Sequence, residues 1–370
     1  MMNPDEIFGK GNYNSFAKED SFNNNFVEGF ISHHHGDDYG ALLIEKINGE
    51  KSSQLIFCTP KISYPFDRNG NWHFPKAKAI YRYEKLDGTN IFGFSYVAGG
   101  QKFVSYKTRL MPFVQESKFG PFLSMWKEML IKYPLIPRAI HSMNISFELW
   151  GARNPLLVKY NIPLETSVLF ARQNGKIIPP LVSTDVLSYV HFPLSANFLG
   201  VVDSQYVENY KTAQLDMENK LKQTEDGYIG QEGEVWYLLD ETGNWQLLKC
   251  KPETIEAIHF SSGGIGQNQI KVTCLNAFEN WDNPTIENVN SLLLEEFQPH
   301  QVEKAHFGIE KWLNWAFEQF QFQIKVLEEY DSIGISLLED KSGVMRILSQ
   351  KFPRDKINRV FSIIWNKVSK

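Results

Sequence analysis

Aromatic and β-branched residues alternate with polar ones along much of the chain between about residues 40 and 118. A period of two is typical of strands that bury one face. Clusters of Gly, Asn and Asp separate these runs and predict turns. The stretch before position 40 is rich in Asn, Asp, Gly and Ser, which indicates loops with at most one short helix. The predicted strands are Tyr39–Lys46, Gln54–Cys58, Ala79–Glu84, Ile91–Tyr96 and Gln101–Tyr106.

The middle of the chain mixes both periodicities, and the end of the chain is helical in pattern. Helices are predicted at Leu123–Lys132 and Asn209–Gln223, with strands at Asn144–Gly151, Ser167–Arg172, Gly233–Asp240 and Trp245–Lys251. After about Pro252, apolar residues recur at i, i+3, i+4 and i+7, which predicts helices at Thr285–Phe297, Val302–Tyr330 and Asp355–Lys370. The sequence therefore predicts an α+β domain over residues 1–260 and a helical domain over residues 261–370.

Composition narrows the class of protein. The chain has 370 residues, 42% of them hydrophobic, and a formal net charge of −5, so it is not a strongly basic nucleic-acid binder. A local basic cleft in an acidic chain still attracts phosphates. Cys58, Cys250 and Cys274 show no zinc spacing and favour a reducing compartment. No signal-peptide pattern or long apolar run occurs, so we expect a soluble, cytoplasmic protein with no membrane partner.

A short motif, KLDGTN at 85–90, carries the most specific chemical signal. It lies between two predicted strands, where a ligand can reach the lysine. Its glycine permits close backbone approach or a positive φ, and its aspartate would orient the chain or a sugar hydroxyl. Taken alone, the motif is equally typical of a surface hairpin turn, because Asp-Gly is a common turn dipeptide.

Three further motifs follow in a fixed order. They are FELWG at 147–151, EGEV at 232–235 and LKCK at 248–251. The order resembles that of the superfamily of ATP-dependent DNA ligases, RNA ligases and mRNA capping enzymes. Within it, EKLDGTN at 84–90 is most similar to RNA ligases, in which a Thr-Asn pair often follows the glycine. The resemblance covers about residues 60–255 and implies a nucleotidyltransferase domain of antiparallel sheets flanked by helices.

The resemblance implies a role for each matching residue. Lys85 matches the lysine that attacks the α-phosphate of ATP and becomes lysyl-AMP. Glu148 matches a glutamate associated with the ribose or a metal, and Glu232 one associated with the divalent metal. Lys249 and Lys251 match a pair that contacts the α-phosphate. The implied cofactors are ATP and Mg²⁺ or Mn²⁺, and the implied partner is RNA with 5′-phosphate and 3′-hydroxyl ends.

Four other positions match less specific parts of the family pattern. Glu84 belongs to the nucleotide-binding motif, and Asn90 is expected to position the polynucleotide end. Arg109 resembles an arginine near the ribose and the strand end; a plain surface charge is the alternative. Phe170 resembles an aromatic that stacks on adenine, but the Asp-Ile that usually follows is Ala-Arg here, and a core position is the alternative.

The chemistry of the implied reaction explains these residue types. An amine attacks only when unprotonated, and the pKa of free lysine is about 10.4. Nearby cations and partial desolvation lower the pKa of a lysine amine and neutralise charge on the α-phosphate. Two glutamates suit Mg²⁺, which takes one or two carboxylates together with waters and phosphate oxygens. Arginine cannot replace the nucleophile, because a guanidinium stays protonated.

Several alternatives stay open on the sequence alone. A DNA ligase or a GTP-dependent capping guanylyltransferase would use the same covalent lysyl-nucleotide chemistry, and a non-catalytic binding protein would keep only the fold. The helical domain would bind RNA, guide substrate choice or form a dimer. His33-His34-His35 predicts a polar loop, with a metal site as the alternative. The basic residues near the nucleophile are a phosphate track or solvated charges: Lys76, Lys78, Arg82, Lys102 and Lys107.

Overall fold

The computed structural model describes residues 2–34, 36–67, 71–116, 122–154, 158–180, 191–224, 227–252, 265–294, 297 and 299–368. The chain divides into two compact units. Unit 1 comprises Met1–Gly263 with Glu279–Asp282, and unit 2 comprises Gly264–Phe278 with Asn283–Lys370. The described residues of unit 1 mix strands and helices, whereas the regular elements described in unit 2 are helices. The α+β fold class predicted from the sequence is confirmed.

The strands of unit 1 form antiparallel sheets. One sheet has the order β1-β2-β3-β4, a second β10-β9-β8-β6-β7 and a third β11-β5-β14-β15, with β12-β13 as a separate hairpin. The strands are β1 Tyr13–Glu19, β2 Phe26–Ser32, β3 Leu42–Ile47, β4 Glu50–Ile56, β5 Ala79–Lys85, β6 Gly88–Ala98, β7 Gln101–Lys107, β8 Asn144–Trp150, β9 Glu165–Gln173, β10 Lys176–Ile178, β11 Phe198–Val202, β12 Lys222–Thr224, β13 Gly227–Ile229, β14 Gly233–Leu239 and β15 Trp245–Cys250.

Helices cover two of these sheets on their outer sides. The helices of unit 1 are α1 Pro4–Phe8, α2 Phe122–Lys132, α3 Ile136–Ile140 and α4 Tyr206–Lys220. Helices α2 and α3 pack on the second sheet through Trp126 and Ile140, and α4 packs on the third sheet through Tyr210. The inner faces of the sheets share a central core that includes Tyr83 and Phe94. Side chains that alternate along these strands therefore face opposite sides of each sheet. One side contributes to the central core, and the other contributes to a core covered by helices.

The regular elements that the structure describes in unit 2 are helices. Its helices are α5 Gln267–Asn280, α6 Ile286–Leu294, α7 Pro299–Lys304, α8 His306–Asp331, α9 Lys341–Lys351 and α10 Ile357–Val368, with a 3₁₀ turn at Arg354–Lys356. One hydrophobic cluster joins α8, α9 and α10, with Val326, Leu348 and Ile364 at its centre. No helix among the described residues is long and apolar enough to cross a membrane.

The structure departs from the sequence-based expectation at several elements. Residues before position 40 form strands β1 and β2 rather than loops alone. The helix predicted at Val302–Tyr330 is interrupted near Ala305, where α7 ends and α8 begins. Helices α3, α5 and α9 and strands β10 to β13 were not among the predicted elements.

Candidate active site

Lys85 is the last residue of β5, at the point where the chain turns into β6. The turn is held by Asp87, whose Oδ2 accepts a hydrogen bond from the Val158 amide at 2.6 Å. The Asp87 amide itself donates to the Tyr160 hydroxyl at 2.8 Å. Asp87 thus orients the chain, which is one of the two roles predicted for it, and the turn fixes the backbone from which Lys85 projects.

Gly88 is required for the close pairing of β6 with β8. It pairs with Trp150, and a Cβ atom at position 88 would lie 2.3 Å from the Leu149 carbonyl oxygen. Its φ is not positive, so close backbone approach is the reason for glycine. We expect Gly88→Ala to lower the free energy of unfolding by about 2 kcal/mol, since overpacking here displaces backbone. Chemical denaturation would measure it, with Gly266→Ala as control, because that Cβ meets no atom within 4 Å.

Glu232 joins two lysines from different parts of the sheet. Its Oε2 lies 2.5 Å from Lys85 Nζ, and its Oε1 lies 3.1 Å from Lys251 Nζ. The Glu232 side chain is 4% exposed, and burial alone would raise its pKa; the charges of Lys85 and Lys251 outweigh burial and hold the pKa below its usual value. The carboxylate therefore stays ionised between two cations.

Gly233 brings these lysines together. It pairs with Lys85 across β5 and β14, and a Cβ at position 233 would lie 3.2 Å from Lys251 Cγ and 2.5 Å from the Cys250 carbonyl oxygen. A side chain here would displace the Lys251 stem. The glycine of the EGEV motif thus makes room for the contact between Glu232 and both lysines.

Glu148 is a buried carboxylate on the neighbouring sheet. It alternates with Phe147 and Leu149, which point into the helix-covered core, so Glu148 faces the opposite side, towards the central core. Burial raises the pKa of Glu148 to about 7, while the positive charges of Lys85 and Arg109 act in the opposite direction. The described residues form no hydrogen bond or ion pair with its carboxylate. A buried carboxylate without such a partner suits a cation.

The raised pKa of Glu148 predicts a pH-dependent stability in the absence of metal. The pKa is about 7 in the folded chain and 4.5 for the ordinary group, so only the folded state holds this proton between those pH values. As the pH rises from 4.5 to 7, the folded chain loses this proton, and the stability that protonated Glu148 contributes is lost with it. Relative to Glu148→Gln, the free energy of unfolding should fall by about 3 kcal/mol between pH 4.5 and 7 in chelator. Parallel curves for the two proteins would contradict this expectation.

The two lysines of the LKCK motif differ in their surroundings. Lys249 is buried on β15, and its Nζ lies 4.4 Å from the centre of the Tyr64 ring. Lys251, just after β15, contacts Glu232 instead. Both residues are buried, so neither lysine lies on a solvated strand face. Lys85 and Lys251 thus bring two positive charges to the Glu232 carboxylate.

Asn90 and Arg109 lie close to Glu148. Asn90 pairs with Glu148 across β6 and β8, and its Nδ2 donates to Ser146 Oγ and to the Phe147 carbonyl oxygen, each at 3.0 Å. Its Oδ1 is buried and accepts no hydrogen bond within the described part of the chain. Arg109 lies with its guanidinium carbon 5.7 Å from the Tyr39 ring centre, and its buried Nε likewise has no acceptor among the described atoms. Both residues have capacity left for a ligand.

Phe170 and Glu84 have surroundings different from those of Lys85, Glu232 and Lys251. Phe170 lies in the central core and is 1% exposed, so its ring offers no open face to adenine in this structure. Glu84 accepts a hydrogen bond from Asn197 Nδ2 at 2.5 Å and pairs with Glu234, away from the contacts of Lys85. The nucleotide-binding roles of both residues remain predictions.

Arg82 and Lys107 have structural roles that the sequence did not reveal. Arg82 makes a two-pronged ion pair with Glu234, at 2.8 and 2.7 Å, and Trp236 donates to the same carboxylate. Lys107 is fully buried, and its Nζ donates to the carbonyl oxygens of Gly40, Thr108 and Arg109. Burial lowers the pKa of Lys107. Neither residue is available for a phosphate track; Lys107 instead fixes the loop that carries Arg109.

The arrangement fits a divalent cation without forming a complete metal site. No group of three His, Cys, Asp or Glu residues able to hold a metal occurs within the described residues. Glu148 and Glu232 offer two carboxylates, as Mg²⁺ prefers when phosphates and water complete its shell. His34 contacts Asp38 at 3.0 Å and His33 contacts the Gly11 carbonyl oxygen, while His35 lies outside the described residues.

Comparison with known proteins gives structural similarity alone. No family model and no curated protein sequence matches the chain. The chain is similar in structure to ATP-dependent RNA and DNA ligases. An archaeal ATP-dependent RNA ligase is 13% identical with a TM-score of 0.45, covering 86% of this chain and 78% of that one. A protein from Aquifex aeolicus assigned as an ATP-dependent DNA ligase is 16% identical with a TM-score of 0.44, covering 94% of this chain and 87% of that one.

A smaller part of the chain is similar to an RNA ligase from Naegleria gruberi. The identity is 11% and the TM-score 0.36, with 49% of this chain and 51% of that chain covered.

Proposed function

We propose that this protein is an ATP-dependent RNA ligase that joins 5′-phosphate and 3′-hydroxyl ends through an AMP covalently bound to Lys85. The observation that carries the proposal is the contact of Lys85 Nζ with Glu232, 2.5 Å away, while Lys251 contacts the other oxygen of the same carboxylate. A strand-end lysine paired with a buried carboxylate and a second lysine is a costly arrangement unless it serves a charged ligand.

The geometry supports attack by the Lys85 amine on an α-phosphate. In the structure the Lys85 amine donates a hydrogen bond to Glu232 Oε2. A divalent ion bound by Glu148 and Glu232 would draw the Glu232 charge away from Lys85 and neutralise phosphate oxygens. Lys251, which contacts the same carboxylate, then remains near the amine, and neighbouring positive charge favours the uncharged form of an amine.

The reaction proceeds in three balanced steps. The Lys85 nitrogen forms a bond to the α-phosphorus, the bond from that phosphorus to the bridging oxygen breaks, and pyrophosphate leaves with the electron pair. An oxygen of the 5′-phosphate of an RNA end then forms a bond to the same phosphorus, the bond from the Lys85 nitrogen to phosphorus breaks, and the amine leaves with the electron pair and takes up a proton. The 3′-hydroxyl of a second end attacks the activated 5′-phosphate and releases AMP. Lys249 and Lys251 neutralise charge on the phosphate during transfer.

The choice of RNA over DNA or a cap structure has two supports. The EKLDGTN motif carries the Thr-Asn pair typical of RNA ligases. DNA ligases and capping enzymes of the superfamily usually continue into a β-barrel after the last lysine motif, whereas the regular elements described in unit 2 are all helices. Asn90 Oδ1 and Arg109 Nε, both buried and without a described partner, are the groups we assign to the polynucleotide end.

Covalent labelling tests the first step. The protein is incubated with α-labelled ATP or GTP and Mg²⁺, and bound label is detected in a denaturing gel. We expect label from ATP alone. Label from GTP without label from ATP would reject the assignment in favour of a guanylyltransferase, and label from neither would reject covalent nucleotidyl transfer.

Joining of polynucleotide ends tests the substrate. Matched RNA and DNA strands with 5′-phosphate and 3′-hydroxyl ends are supplied as nicks and as single strands. We expect RNA ends to be joined. Efficient sealing of all-DNA nicks without joining of RNA would show that the protein is a DNA ligase.

A further inference from the structure

The last thirty residues carry a charge opposite to that of the rest of the chain. Residues 341–370 contain eight Lys or Arg and one acidic residue, Asp355, whereas the other 340 residues contain 30 Lys or Arg and 42 Asp or Glu. The segment therefore has a net charge of +7 in a protein whose overall net charge is −5. None of its residues belongs to the candidate active site.

The apolar side of this segment is already covered. Val344 and Leu348 of α9 and Val360 and Ile364 of α10 are buried in one cluster with residues of α8. The cationic side chains are left on the outside of these helices. The exposed cations are Lys341, Arg346, Lys351, Arg354, Lys356 and Lys367. We call them, together with Arg359, the basic terminal surface.

Part of this charge is not neutralised within the protein. Lys351 forms an ion pair with Glu329, and Lys367 forms one with Asp331 at 2.5 Å. Arg346, Arg354 and Lys356 make no ion pair with any residue that the structure describes. Three exposed cations without acidic partners attract polyanions, and phosphates most of all.

Aromatic rings lie among these cations. Lys356 and Arg359 lie 5.3 and 4.6 Å from the centre of the Phe322 ring, and Lys341 lies 4.3 Å from the centre of the Phe361 ring. Trp365 stacks on Phe361 with a centroid distance of 5.8 Å and is 43% exposed. Lys341 thus lies at the Phe361 ring on which the exposed Trp365 stacks, and cations near an exposed aromatic ring hold phosphates while the ring stacks a base of a single strand.

We propose that the basic terminal surface binds a single-stranded segment of RNA, with phosphates at Arg346, Arg354 and Lys356 and a base on Trp365. The proposal rests on the proposed function only for the choice of RNA as the polynucleotide. It adds a binding surface in unit 2 that takes its strand through charge and stacking, without reading the sequence of the bases.

Two other occupants of this surface fit the observations less well. A helix that lies on a membrane inserts an apolar face, but the apolar face of α10 is buried through Val360 and Ile364. A second copy of the same surface would bring two clusters of like charge together, which costs free energy at a symmetric interface. A single-stranded polyanion needs no exposed apolar helix face, and its charge is opposite to that of the surface.

Binding of a fluorescent RNA of about 16 nucleotides, measured by anisotropy over about 50 to 200 mM salt, tests the proposal. The test variant is Arg346→Glu with Arg354→Glu. Its control is Lys304→Glu with Lys311→Glu, which changes the net charge of unit 2 equally at exposed positions outside the surface. The test variant should bind at least about tenfold more weakly, and its salt slope should fall by about 1.4. The control variant should bind as the wild type does.

Trp365→Ala separates stacking from charge. It should weaken binding about tenfold while the salt slope stays unchanged, because it removes no cation. Equal weakening by the test and control charge variants, or tighter binding to anionic phospholipid vesicles than to RNA, would overturn the proposal. Circular dichroism melting curves establish that all variants are folded.

Adenylylation of Lys85 requires no RNA, so it reports on the proposed function separately. If Lys85 takes no label while only the test variant loses RNA binding, the proposed function fails and this surface stands. If Lys85 is labelled while the test variant binds RNA as the wild type does, the surface fails and the proposed function stands.

Discussion

Lys85→Arg should abolish covalent labelling by ATP while the protein stays folded. In the wild type, Glu232 Oε2 lies 2.5 Å from the Lys85 amine. A guanidinium at position 85 keeps the positive charge that this carboxylate contacts. It cannot lose its proton, so it cannot attack phosphorus. We expect labelling to fall at least about 10³-fold, as when a covalent nucleophile is removed. The free energy of unfolding should change by less than about 1 kcal/mol.

Lys78→Arg is the matched control for this substitution. Lys78 directly precedes β5, whereas Lys85 ends it, and Lys78 is exposed with its Nζ 3.1 Å from the Glu241 carbonyl oxygen. Its replacement should leave labelling unchanged. If Lys85→Arg took label as fast as the Lys78→Arg control, another residue would be the nucleophile and the proposed function would be wrong.

The strands around the site could be predicted because one face of each is buried. β5, β6, β8, β14 and β15 all coincide with predicted strands to within a few residues at their ends. β1 was missed because five of its seven residues are polar or small, which reads as a loop. Its outer edge is unpaired in the sheet, so few of its positions need to be apolar.

The helices of unit 2 were likewise predicted only in part. α8 and α10 carry apolar residues at helical spacing and were predicted, because their buried stripes pack in the terminal cluster. α9 has a glycine at position 343 and few apolar residues, and its start is fixed by Asp340, whose side chain accepts from the Gly343 amide at 2.8 Å. A short helix with few apolar residues gives little periodic signal in the sequence, even when its start is capped.

The site residues could be named from motif order, but their partners could not. The contact of Glu232 with both lysines depends on the pairing of Gly233 with Lys85, two positions 148 residues apart in the chain. Sheet register over such a separation is set by the packing of whole sheets, which a local motif does not encode. The same holds for Asp87, whose partners Val158 and Tyr160 come from a distant loop.

Glu232→Gln should impair both the stability and the chemistry of the protein, and a neighbouring residue allows the two effects to be separated. The substitution removes the charge that pairs with Lys85 and with the buried Lys251. Loss of one partner from a buried ion pair costs about 3 kcal/mol in the free energy of unfolding. Adenylylation should slow by about 10²–10³-fold, because a carboxylate assigned to the metal and to the reacting amine is gone.

Glu234→Gln is the matched control. Glu234 lies two residues further along, its side chain is 4% exposed like that of Glu232, and it forms its own two-pronged ion pair with Arg82. That pair has no contact with Lys85 or Lys251 among the described interactions. Its loss should therefore destabilise the fold by a similar amount while the labelling rate, measured below the melting temperature, stays near that of the wild type.

The dependence on metal concentration makes the comparison sharper. For Glu232→Gln, we expect half-maximal labelling to need at least about tenfold more Mg²⁺, since a carboxylate ligand has become a neutral amide. For Glu234→Gln, the requirement should be unchanged. If both variants slowed labelling equally at every Mg²⁺ concentration, lost stability would explain both, and Glu232 would have only the structural role that Glu234 has.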